Sequence, residues 1–284
     1  MKLHSISCGC FKLDGGAMFG VVPKIIWDKT NPADANNRIE MCSRSLLIED
    51  GNRLILIDTG MGNKQSEKFF SYYDRSNDEN IDQSLRKKGF HRDDVTDVFL
   101  THLHFDHCGG AILRNKKGLL EPSFKNAVFW SHEGHWKWAT RPNPREKASF
   151  LRENIIPIKE SGKLNFIKGD GFLVENTPLN FDIILVNGHT EKQMLPVLNH
   201  QGKTLVFAAD LIPTAGHIPI PYVMGYDTRP LITMKEKNHF LKLACEKNFM
   251  LFLEHDPNNE LISLKPTEKG VRVNEKHFLT DFFL

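Results

Sequence analysis

Apolar residues in this chain come in short continuous runs. Val98-Phe99-Leu100, Leu54-Ile55-Leu56-Ile57 and Phe249-Met250-Leu251-Phe252-Leu253 are each bounded by polar or glycine-bearing stretches. Runs of this length suit strands buried on both faces. Residues 45–49 and 53–58, joined through Asp50-Gly51-Asn52, predict a hairpin, as do 195–199 and 204–208, joined through His200-Gln201-Gly202-Lys203. Segments 3–7, 93–100, 127–130, 181–186, 261–264 and 271–273 add strands. Helical spacing marks 64–73, 81–88, 133–138, 145–154 and 231–247, the last through Leu231, Met234, Phe240, Leu241 and Ala244. No low-complexity linker or short-period repeat interrupts the alternation. The pattern predicts an α/β layered fold, one domain over residues 1–284.

Donor-bearing residues cluster just past the ends of the apolar runs. After Val98-Phe99-Leu100 comes Thr101-His102-Leu103-His104-Phe105-Asp106-His107-Cys108-Gly109-Gly110. An extended backbone sends His102, His104 and Asp106 to one side. A turn into the glycines returns His107 to the same place. Imidazole and carboxylate are donors that zinc, iron and manganese accept, so the stretch predicts a site for one or two ions. Other runs stop at His189, at Asp210 and at His255. A single histidine at a strand end means little, but the repetition is a pattern. Asp58, at the end of 53–58, suits the support of a ligand histidine, or else closes the strand as a plain Asx turn. Cys108 reads as a small buried neighbour of the site. His132 and His135, with no carboxylate in step, read as surface residues. The glycine-punctuated stretch 15–24 predicts a sharply bent loop. It is either core padding or a flap whose apolar face is Met18, Phe19 and Trp27.

Composition narrows the class. An apolar fraction of 40% and a charged fraction of 25% are those of an ordinary globular protein. With 37 basic and 35 acidic residues, no overall field draws the chain to nucleic acid. No apolar run reaches membrane-spanning length, and the first residues lack the apolar core of a secretory signal. Five cysteines, an odd and sparse set, fit reduced thiols; the expected setting is cytoplasmic.

The order His102-x-His104-x-Asp106-His107, then His189, Asp210 and His255, resembles the metallo-β-lactamase superfamily, with Leu56-Ile57-Asp58-Thr59-Gly60 matching its first motif. The resemblance implies a four-layer αββα sandwich with the site where two mixed sheets meet. A narrower resemblance is to quorum-quenching, YtnP-like N-acyl-homoserine lactonases. It is carried by residues 13–24, Trp27, 101–107 and 209–214, and by His217, Pro219 and Gly225-Tyr226-Asp227. That resemblance favours the flap over padding.

It further implies two divalent cations, zinc first, with manganese or iron as alternatives. His102, His104 and His189 would hold one, Asp106, His107 and His255 the other, and Asp210 would bridge them. Asp58 would support from behind. A hydroxide on the metals would open a lactone or related ester, with Asp106 passing a proton to the leaving alkoxide. The implied partner is a small-molecule substrate, with no nucleic acid and no membrane, and a homodimer is the candidate assembly.

Two departures matter. After Gly188-His189-Thr190 the chain continues Glu191-Lys192-Gln193, without the usual second histidine. Leu211-Ile212-Pro213-Thr214 stands where some lactonases carry a tyrosine that holds the substrate carbonyl, leaving Tyr222 or His217 as substitutes. Phosphotriester or aryl-ester hydrolysis on the same site, and a mononuclear iron oxidoreductase of the same fold, are the competing readings.

Overall fold

The apolar runs become strands of two mixed sheets. The computed structural model describes residues 1–76 and 79–282. The first sheet runs in the order Lys2–Asp14, Arg38–Asp50, Arg53–Ile57, Asp97–Phe99, Val128–His132, Leu164–Ile167. From Arg53–Ile57 onward its strands are parallel, in register at Ile57 with Phe99 and Phe99 with Trp130. The second sheet runs Arg272–His277, Leu261–Lys265, Met250–Phe252, Lys203–Phe207, Gln193–His200, Asp182–Val186, Leu173–Val174. Its one parallel pair is Lys203–Phe207 with Met250–Phe252, in register at Phe207 and Phe252. Both sheets mix parallel and antiparallel pairs, and helices accompany them.

The chain folds into two compact units. One is Met1–Phe11 with Ser43–Gly169, the other Lys12–Cys42 with Asp170–Leu284. The first buries Leu47, Leu56, Val98, Leu100 and Phe129 against Leu85, Trp136 and Ile155. The second buries Ile184, Val186, Val206 and Leu251 against Phe240, Leu241 and Ala244 of the helix Pro230–Glu246. That helix starts with proline at its first turn and buries Thr233, Lys237, Phe240, Leu241 and Ala244, the stripe of a 3.6-residue period.

Several elements differ from their predicted extents. The strand predicted over 93–100 is only Asp97–Phe99, because Arg92–Asp94 winds into a 3-10 turn capped through His91 and Asp94. The helix predicted over 64–73 shortens to Glu67–Ser71, started by the Ser66 hydroxyl. Lys64 stays outside it and buries its ammonium against the Gly109 carbonyl. The helix predicted over 145–154 begins only at Arg152 and runs to Glu160. Ahead of it the Asn143 side chain accepts from the backbone N–H groups of Arg145 and Glu146, and holds a turn instead. The bent stretch 15–24 contains a helical turn, Gly15–Phe19, because Asp14 accepts the Ala17 N–H at 2.7 Å, and a second follows at Lys24–Trp27. Among the described residues, no helix is long and apolar enough to cross a membrane.

Candidate metal centre

One regularity places the donors. His102, His189, Asp210 and His255 each stand three residues past the last residue of a strand: Phe99, Val186, Phe207 and Phe252. Each strand fixes a backbone frame, and the first residues beyond its carboxyl end carry the functional groups.

In the first unit, Asp58 anchors the motif. Its φ of 57° is left-handed, a conformation that aspartate tolerates better than most residues. The turn is fastened on every side. The Asp58 N–H donates to the Phe99 carbonyl at 2.9 Å, and the Ser45 hydroxyl donates to the Asp58 carbonyl at 2.9 Å. The carboxylate accepts the Thr101 N–H at 2.8 Å, the Thr101 hydroxyl at 2.6 Å and the His107 Nδ1–H at 3.0 Å. His107 is thereby left with Nε2 as its lone-pair nitrogen. The Thr101 hydroxyl, donating to Asp58, also sits 3.1 Å from His102 Nδ1, which leaves His102 Nε2 facing His104 Nδ1 at 3.1 Å. Asp106 Oδ2 is 3.9 Å from His107 Nε2.

Behind the motif, Gly109 and Gly110 allow close approach. A Cβ on either would stand 2.2 Å from a carbonyl oxygen, that of Met61 or of Thr59. Cys108 is buried, its thiol pushed up to about 12 by that burial and directed at the Leu103 carbonyl at 3.3 Å. It offers no thiolate at neutral pH.

In the second unit, one carboxylate lies between two imidazoles. Asp210 Oδ2 is 3.1 Å from His189 Nε2, and Asp210 Oδ1 is 3.2 Å from His255 Nε2. The far nitrogens are occupied: His189 Nδ1–H donates to Asp227 Oδ1 at 2.9 Å, and His255 Nδ1–H to the Cys42 carbonyl at 2.8 Å. Ala209, just before the carboxylate, is held at φ 42°, a left-handed geometry that costs an alanine about 1–2 kcal/mol. Burial opposes charge on His189, but Asp210 and then Asp227 outweigh it and hold its pKa up to about 10. A lone pair and a carboxylate oxygen 3.1 Å apart require a cation or a proton between them. Histidine and aspartate side chains in each unit are thus positioned for metal binding.

The residues predicted to face substrate form a stack in the second unit. The Phe19 ring is parallel to Trp27, with centroids 5.4 Å apart, and to His217 at 4.3 Å, and meets Tyr222 edge-on at 6.4 Å. His217 Nε2–H donates to the Met18 carbonyl at 2.9 Å, and its Nδ1 faces the Thr214 hydroxyl at 2.8 Å. Both nitrogens are committed internally, and burial pushes the imidazole down to about 3, so it is neutral. His217 works as a clamp on the Gly15–Phe19 turn. Met18, Phe19, Trp27 and His217 are buried, whereas Tyr222 is half-exposed.

Two residues need correction. His132 and His135 are buried, not at the surface. His132 caps the helix Glu133–Thr140 by accepting the Gly134 N–H, and His135 Nε2 accepts the Leu103 N–H at 2.8 Å. Backbone groups are thus among the partners of both. Asp227, Glu146 and Thr101 join the donors in a supporting role that the sequence reading assigned to none of them, although Thr101 and Asp227 lie in stretches that carry the resemblance. Thr101 carries a local signal, since it adjoins His102, but Asp227 and Glu146 are linked to the histidines only by the fold.

Comparison with known proteins places the architecture. The family model described as the metallo-beta-lactamase superfamily matches residues 43–255. A Staphylococcus aureus protein described as a probable metal-dependent hydrolase is 26% identical, with a TM-score of 0.84 over 98% of both chains. The dizinc quorum-quenching lactonase AidC, solved with a product homoserine, is 24% identical, with a TM-score of 0.76 over 97% of this chain and 94% of its own. The hydrolase AbOPH is 19% identical, with a TM-score of 0.77 over 97% and 94%. No curated protein sequence shows significant similarity to the chain.

Proposed function

The chain belongs to the metallo-β-lactamase superfamily, and on that premise we propose that it is a dinuclear metal-dependent hydrolase that opens lactones, of the N-acyl-homoserine type, or related carboxylic esters. His102, His104 and His189 would hold one cation, Asp106, His107 and His255 the other, and Asp210 both. Residues 1–284 then act as one catalytic domain. The observation that carries this reading is the Asp210 carboxylate, with one oxygen toward His189 and the other toward His255. A carboxylate so placed is suited to share two ions.

The donor set fits a metal by its chemistry. The Nδ1 positions of His107, His189 and His255 face a carboxylate, a carboxylate and a carbonyl, which presents Nε2 as the ligand in each case. Imidazole and carboxylate without thiolate suit zinc and also accept manganese or iron. Divalent ions there supply Lewis acidity, which polarises a carbonyl and acidifies water.

The chain's own residues supply the rest. Asp106, beside His107, would take a proton from the attacking water and pass it to the alkoxide that leaves when the ring opens. Tyr222, the half-exposed member of the Phe19 stack, would face the acyl side and offers a hydroxyl, with buried Phe19, Trp27 and His217 supporting it from behind. AidC is a dizinc lactonase, and its likeness in fold supports the choice of lactones over other esters.

The test is turnover by metal-quantified protein of an acyl-homoserine lactone, an aryl ester, a phosphotriester and a β-lactam. The expected result is two metals per chain and a preference for the lactone. Turnover of the phosphotriester alone would overturn the substrate class. One iron per chain with oxygen consumption would overturn hydrolysis.

A further inference from the structure

The segment 132–150 grips the metal motif from behind, within the first unit. Leu103 and Phe105 are held through their backbone amides, and His104 between them faces a carboxylate. The Leu103 N–H donates to His135 Nε2 at 2.8 Å, His104 Nε2 lies 3.4 Å from Glu146 Oε1, and the Phe105 N–H donates to the Ser149 carbonyl at 3.0 Å. The Phe150 ring lies 4.7 Å from the His104 ring. Glu146 is 3% exposed and His135 fully buried, so neither is there for solubility. Burying a carboxylate is costly unless its charge is met.

The other oxygen of Glu146 is fully engaged. Oε2 accepts the Trp138 indole N–H at 2.6 Å and the Asn143 amide N–H at 2.6 Å. Two donors hold Oε2 on the far side, and Oε1 faces the imidazole at 3.4 Å. His104 differs from the other histidines in which nitrogen faces its neighbours: Nδ1 points at His102, and Nε2 points outward. Its outward nitrogen must therefore carry the proton for Nδ1 to present a lone pair.

We propose that Glu146 is a positioning residue that fixes the proton of His104 on Nε2 and so presents Nδ1 to a cation, with His135 holding the backbone at Leu103 in register. The inference rests on the reading of His104 as a ligand.

Glu146→Gln separates this role from simple packing. The Trp138 and Asn143 donors would capture the new amide oxygen and leave the amide NH2 aimed at His104 Nε2. A donor there favours the tautomer with its proton on Nδ1, the wrong one for metal binding. Glu146→Ala merely removes the preference. The expected order of zinc affinity is therefore wild type, then Glu146→Ala, then Glu146→Gln, with the alanine variant lowered about 10–100-fold at one of two sites. Zinc affinity would be read by competition with a chromogenic chelator, and the tautomer by 15N NMR of the metal-free imidazoles. Thermal unfolding of the metal-free proteins controls for packing.

A Glu146→Gln protein with wild-type zinc affinity and an Nε2–H signal for His104 would overturn the proposal. So would equal losses in both variants that follow a common loss of metal-free stability. Wild-type protein that binds no zinc would instead overturn the ligand reading itself.

Discussion

Asp227 Oδ1 accepts the Nδ1–H of His189 at 2.9 Å, from a point 38 residues further along the chain. The other oxygen of Asp227 accepts the Met224 N–H at 3.1 Å, and the Asp227 N–H returns to the Met224 carbonyl. Gly225 in the same turn donates to the Ala17 carbonyl at 2.7 Å. One carboxylate thus orients the imidazole and closes the turn against which the Gly15–Phe19 segment rests.

Asp227→Ala should lower metal affinity about 10–100-fold, the usual effect of removing the carboxylate behind a ligating histidine. Isothermal titration with zinc measures it. Unchanged affinity would show that the ring is oriented by packing alone.

Gly110→Ala should destabilise the fold. The added methyl would meet the Thr59 carbonyl at 2.2 Å, and neither piece of backbone can retreat, since the Gly110 N–H is bonded to the Gly60 carbonyl. Overpacking of this kind costs about 1–3 kcal/mol or more. Denaturant melts should show a lowered midpoint with an unchanged slope. A wild-type midpoint would mean the glycine turn has room to shift.

Stability should fall on the acid side through His217. The native imidazole is held down to about 3, below its ordinary 6.5, so the unfolded chain takes up a proton that the native chain refuses. The sign follows: this contribution is present above pH 6.5 and is lost as pH drops from 6.5 toward 3. His217→Gln should flatten the slope of unfolding free energy across that window, whatever it does to the plateau. Parallel slopes in the two proteins would refute the assignment.

Lys237 makes the matching case on the alkaline side. Burial in the helix Pro230–Glu246 holds its ammonium down to about 7, though Asp227 pulls upward, and Nζ donates to the Tyr222 carbonyl at 2.7 Å. The unfolded lysine stays protonated up to its ordinary 10.5, so stability should decline as pH falls from 10.5 to 7 and level off below. Lys237→Met should abolish that decline. Hydrogen exchange at 222–227 should meanwhile rise, because the variant cannot hold the Tyr222 carbonyl.

Four of the candidate donors were legible in the sequence because each stands just past a strand, and a buried strand advertises itself as an apolar run. His102, His189, Asp210 and His255 need only that local signal. Glu146 and His135 do not have one. Glu146 sits in a turn that reads as helix from its spacing, and only the Asn143 side chain, competing for the backbone, shows why the helix starts later. His135 looks like a surface residue of a short helix until its partner, the Leu103 N–H, 32 positions earlier, comes into view. The 15–24 stretch was legible as a bend but not as a helical turn, since one capping bond from Asp14 decides it. Side chains that meet backbone across long separations leave no periodicity to find.

The three-residue offset from strand to donor has a consequence for how such a protein can change. Reactive groups tied this closely to strand ends inherit the rigidity of the sheets. The turns downstream, Leu211 to Pro213 and Tyr222 to Tyr226, carry neither a donor nor the Asp227 carboxylate behind His189, so the spacing of the donors does not rest on their side chains. On the proposed reading, reactivity and selectivity would thereby be encoded in separate stretches of polypeptide, and one could be revised while the other is kept.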